Sequence, residues 1–84
     1  FSQLIQGQAE FTEIWAEKGM PITDKTLMEL DIPEGVIIAA IHRNNEIIIP
    51  SGNTKIQDED RVVILSLLSS IPLLEGMIKQ PKAH

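Results

Sequence analysis

Short apolar segments alternate along this chain with Gly, Pro, Asn and Asp, and each break marks an element boundary. Phe1, Leu4 and Ile5 stand at helical spacing before Gly7, which predicts the end of a helix and a linker over residues 1–7. Residues 9–16 (AEFTEIWA) alternate imperfectly and predict a strand with Phe11 and Trp15 on one face. Thr23 or Asp24 then caps a short helix over residues 25–30, with Leu27 and Leu30 as its apolar pair and Pro33 ending it. Residues 36–43 (VIIAAIHR) are the strongest strand, rich in β-branched side chains. Asn44-Asn45 forms a two-residue turn with positive φ at both positions, and the chain returns through residues 46–49 (EIII). Residues 54–57 read as extended or looped, 58–60 as a turn and 61–66 (RVVILS) as a fourth strand. Ser69 or Ser70 opens a closing helix, with Pro72 in its first turn and Leu73, Leu74, Met77 and Ile78 on its apolar face. Residues 80–84 read as a disordered tail. The expected fold is α+β, in the order β-α-β-β-β-α around a central hairpin.

The strand at 36–43 is apolar on both faces: Ile37, Ala39 and Ile41 on one, Val36, Ile38 and Ala40 on the other. Such a strand needs cover on both sides, and two short helices offer little. A chain of 84 residues also has a thin core, and with no Cys it has no disulfide to compensate. These features favour a homodimer over a monomer whose own helices suffice.

Composition narrows the role. The net charge of −5 argues against nucleic-acid binding, which needs clustered Lys and Arg, and less strongly against a membrane-surface role. The longest apolar run, 36–41, falls far short of the roughly 20 residues that span a bilayer, so direct membrane insertion is not expected. No Cys/His cluster has metal-site spacing, no G-x-S-x-G elbow is present, and no nucleophile is set beside a base. An enzyme is not expected, and neither a catalytic nor a metal residue is assigned. The chain begins at Phe1, and the expectation is a piece of something longer.

Residues 27–54 (LMELDIPEGVIIAAIHRNNEIIIPSGNT), followed by Asp60-Arg61-Val62, resemble the TrkA C-terminal (RCK-C) domain family of bacterial Trk-type potassium-uptake regulators. The shared pattern is an L-x-x-L helix, a P-E-G turn, an apolar strand ending in Arg, a two-residue turn, a strand ending I-I-P-x-G-x-T, and an acidic D-R-V. It covers about residues 8–67, and the closing helix suits the family, giving a domain over 8–79. Two positions depart from it: Glu59 and Asp24 stand where the family commonly has Gly. The resemblance implies a cytoplasmic regulatory module, peripheral to the membrane through a potassium-transport subunit. It implies a homodimer that couples an effector, such as cyclic di-AMP, to gating. No cofactor is expected here; NAD(H) would belong to a Rossmann domain upstream, since G-x-G-x-x-G is absent. Alternatives are the same module on another transporter or a transcription regulator, or a dimerisation module without a ligand.

Candidate ligand contacts are Ile37, Ile38, His42 and Arg43; candidate dimer contacts are Val36, Ile38, Ala40, Ile47 and Ile49. Arg43 lies opposite Glu46 across the hairpin, so a cross-strand ion pair competes with a phosphate contact. His42, on an apolar strand, is either structural or a hydrogen-bonding or stacking contact. Asp58, Glu59 and Asp60 read as a solvated turn rather than a cation site.

Overall fold

Residues 2–79 are described by the structure, a computed structural model. Strands β1 (Ser2–Ile5) and β2 (Ala9–Trp15) form a hairpin. A short strand β3 (Lys25–Thr26) leads into a 3₁₀ turn at Leu27–Glu29. Next come β4 (Val36–Arg43), β5 (Glu46–Ile48), β6 (Lys55–Ile56) and β7 (Arg61–Leu67). A second 3₁₀ turn at Leu68–Ser70 enters helix α1 (Ile71–Met77). The main sheet is antiparallel in the order β1-β2-β7-β4-β5, and β3 pairs with β6 in a small second sheet. The α+β class and the central hairpin are as the sequence predicts.

Two elements and two caps differ. Residues 2–5, expected at the end of a helix, are strand β1, turning back through Gln6 and Gly7 at φ 53° and 67°. The helix expected over 25–30 is a strand and a single 3₁₀ turn. Thr26 rather than Thr23 or Asp24 caps it: its Oγ1 accepts from Glu29 N–H while its own N–H donates to Glu29 Oε1. Asp24 instead occupies the left-handed region at φ 66°, as Glu59 does at φ 73°. Ser70 begins α1, but its hydroxyl donates to Glu34 O at 2.8 Å and caps nothing. The tail expected at 80–84 lies outside the described residues.

The core lies on one side of the main sheet. Val62 and Ile64 of β7, with Val36, Ile38 and Ile41 of β4, pack against Leu74 of α1, Ile56 of β6 and the segment carrying Ala16, Met20 and Ile22. β4 presents Val36, Ile38 and Ile41 together because a bulge between Ile38 and Ala40 shifts its register by one residue. Strict alternation, which groups Ile37 with Ile41, therefore fails halfway along the strand.

Candidate functional site

The other side of the sheet is the candidate site. Cross-strand partners point to the same face, so the register places Phe11, Leu65 and Ile37 in one row, Glu13, Val63 and Ala40 in the next, and Trp15, Arg61, His42 and Ile47 in a third. Ile5, Ala9 and Leu67 complete the opposite end. Large apolar side chains on this face remain open to solvent: Ile37 is 59% exposed, Ile47 63% and Trp15 57%. The face has an apolar half, where Ala9, Ile37, Leu65 and Leu67 surround a shallow hollow, and a polar end. There a cavity of about 450 Å³ is lined by Trp15, His42, Asn44, Asn45, Asp58 and Arg61, among others.

Arg61 organises the polar end. Its guanidinium lies over the Trp15 ring, 4.7 Å from the centroid, and its Nη1 donates to Glu13 Oε1 at 3.2 Å. Both members of that ion pair are about one-third exposed, so water screens it.

Arg43 is held differently. The bulge turns it to the core side, where its Nε and Nη2 donate to the two carboxylate oxygens of Asp60 at 2.9 and 2.7 Å. Nη2 also donates to Lys55 O at 2.9 Å, and Asp60 Oδ2 accepts from Gln57 N–H at 2.9 Å. Burial pushes the Asp60 carboxyl up, but the hydrogen bonds from Arg43 and Gln57 outweigh it and hold the group below the usual aspartate range. The same bond raises the Arg43 guanidinium. The register does place Arg43 opposite Glu46, but its ion pair is with Asp60. Asp60 is accordingly buried, not part of a solvated turn; Asp58 and Glu59 are exposed.

The residues singled out in the sequence thus separate. Ile37 and His42 lie on the open face with Ala40 and Ile47, while Ile49 beyond β5 is exposed. Val36 and Ile38 are enclosed in the core, and Arg43 is committed to a structural pair. Trp15, Arg61, Leu65 and Phe11 belong to the face but were not singled out as candidates. Phe11 and Trp15 sharing one parity was the available signal. Among the described residues, no cluster of His, Cys, Asp and Glu could hold a metal ion, and no helix is long and apolar enough to cross a membrane.

Comparison with known proteins gives a consistent family. The TrkA-C domain family model matches residues 12–78. A Trk system potassium uptake protein TrkA homolog from Archaeoglobus fulgidus is 35% identical over 89% of this chain, and the Trk system potassium uptake protein TrkA of Azorhizobium caulinodans is 32% identical over 90%. The chain spans 17% of the length of each of these relatives. A solved RCK domain, described as a structure with cda, superposes with a TM-score of 0.66 at 23% identity, covering 82% of this chain and 97% of that one. That likeness supports the fold, and with the family match it shows that this chain belongs to the TrkA-C domain family.

Proposed function

We propose that this chain is the regulatory module of a potassium-uptake protein, pairing with a second copy through its open sheet face and coupling an effector to the gating of a membrane transport subunit. The reading places it at the cytoplasmic side of the membrane, held there through that subunit. The exposed apolar face in a TrkA-C domain is the observation that carries it. Strands of four, seven, seven, eight and three residues, at about 3.3 Å per residue and about 4.8 Å between strands, give a face of roughly 460 Å². Two such footprints cover roughly 900 Å², just under the roughly 1,000 Å² a specific interface requires. Glu13 and Arg61 are paired within one copy, so this pair sets no like charges against each other when two copies meet face to face. A cyclic di-AMP effector fits the junction of the apolar half and the polar end, where Ile37 and His42 are accessible and Arg61 is the cation on the face. Such an effector regulates only by binding one arrangement of the pair more tightly than another.

Equilibrium sedimentation at micromolar concentration tests the pairing. A concentration-dependent dimer is expected, lost in Ile37→Glu while circular dichroism stays unchanged. A monomer throughout, with and without cyclic di-AMP, overturns the reading. Calorimetric titration with cyclic mono- and dinucleotides then separates a sensor from a dimerisation module.

A further inference from the structure

We propose that Glu13 sets the affinity of this face for anionic effectors, by occupying Arg61 until a phosphate group displaces it. The inference rests on the reading that the face takes a phosphate-bearing effector. The arginines of β4 and β7 differ in how fully they are used. Arg43 is held by a bidentate bond to a buried carboxylate and by a carbonyl, and is closed to any ligand. Arg61 spends only Nη1, on Glu13 Oε1 at 3.2 Å, and among the described residues its Nε and Nη2 have no protein partner. Its side chain is 38% exposed, beside the cavity of about 450 Å³. A guanidinium with free donors, open to solvent, takes a phosphate in the same fork geometry that it takes a carboxylate.

The register places Glu13 in the way. It shares a row with Val63 and Ala40, between the row of Arg61 and the apolar hollow around Ile37 and Leu65. A ligand whose apolar part lies in the hollow brings its phosphate to Arg61 past this carboxylate, which repels it and competes for the same donors. Glu13 is not needed to aim the guanidinium, because the Trp15 ring beneath it, 4.7 Å away at the centroid, already holds it. That stack survives when the carboxylate leaves, so exchanging Glu13 for a phosphate keeps Arg61 in place. Asp58 and Glu59 also line the cavity and also repel an anion. They lie exposed on the turn before β7, and among the described residues neither is a partner of Arg61. Their effect is screened and general, whereas that of Glu13 is local and competitive.

Calorimetric titration of the chain with cyclic di-AMP, at fixed pH and low ionic strength, tests this in the wild type and four variants. Glu13→Gln is expected to bind roughly threefold tighter than wild type, the scale of an exposed ion pair that no longer competes. Asp58→Asn removes the same charge from the cavity rim and is expected to gain less. Arg61→Gln is expected to bind more weakly than wild type, and adding Glu13→Gln to it is expected to restore little. A Glu13→Gln variant that binds no tighter than wild type, or no tighter than Asp58→Asn, overturns the proposal and leaves the effector reading intact. So does a Glu13→Gln dimer that tightens in sedimentation without nucleotide, since the gain would then come from the pairing itself. Absence of binding in wild type and Glu13→Gln alike overturns the effector reading and the proposal with it.

Discussion

Asp60 shows how far a single carboxylate's role departs from its surroundings in the chain. Two acidic neighbours, Asp58 and Glu59, are exposed, yet Asp60 is 2% exposed and holds β4, β6 and the turn before β7 together through Arg43. An amide in its place offers one acceptor oxygen where the carboxylate offers two, so the donors of Arg43 and Gln57 cannot all be matched, and the one-quarter-exposed guanidinium loses its counter-charge. Asp60→Asn is expected to cost roughly 2–4 kcal/mol, measured by urea unfolding. Its folded-state pKa is depressed, so the stability it contributes is fully present above the usual aspartate value of 3.8 and is lost as pH falls through the lower folded value. Acid titration of unfolding should show this loss in the wild type and a shallower one in Asp60→Asn. The hairpin register, Arg43 against Glu46, is readable from the turn residues alone, but the competing partner is brought in by a contact between residues 43 and 60 that no local pattern records. Backbone strain, by contrast, is readable from the family pattern: Glu59 at φ 73° stands where Gly is common. Glu59→Gly should raise stability by about 0.5–1 kcal/mol, because relief of left-handed strain exceeds the added chain entropy. An unchanged or lowered urea midpoint would count against this.

Strand β4 illustrates why alternation alone misassigns a face. One extra residue at the bulge moves Ile41 into the core with Ile38 and turns Ala40 and His42 outward. Ile38→Ala should therefore cost roughly 2–4 kcal/mol, whereas Ile37→Ala should cost under about 1 kcal/mol in the monomer. Ile41→Ala should match Ile38→Ala in thermal or urea unfolding, and a cost for Ile41→Ala as small as that of Ile37→Ala would mean the bulge is misplaced. The pattern at 25–30 misleads for another reason: Leu27 and Leu30 fit a helix, but Met28 N–H and Leu27 N–H donate to Gly52 O and Thr54 O, so the segment is drawn into pairing with residues far along the chain. Residues 2–5 are apolar at two adjacent positions, a spacing compatible with either element, and pairing with β2 decides for a strand. The junction of β4 with α1 is set by Gly35, at φ 85°, where an added Cβ would fall 2.5 Å from Ser70 Oγ. Gly35→Ala should destabilise by roughly 2 kcal/mol or more through strain and that clash.

The sheet as assembled joins the two ends of the chain. β2 and β7 pair along their full lengths, although residues 9–15 and 61–67 are far apart in sequence, and β7 then pairs with β4 at the centre. Folding therefore requires closure of most of the chain before the core can form, a topology that folds slowly among small domains. The two edge strands carry unequal weight. β5 contributes Ile48 to the packing against the core, whereas among the described residues the core cluster draws none from β1, which pairs with β2. The family match, beginning at residue 12, leaves β1 outside it as well. Deleting residues 1–8 should thus leave a cooperative unfolding transition, lowered by roughly 1–3 kcal/mol for the lost ladder hydrogen bonds and the uncovered edge of β2. The denaturant slope should fall slightly with the smaller buried surface. The deletion also removes Ile5 from the open face but spares Ile37, Leu65 and Leu67, so association is expected to weaken without disappearing. A deletion variant that unfolds without a cooperative transition would show instead that β1 is an integral part of the domain.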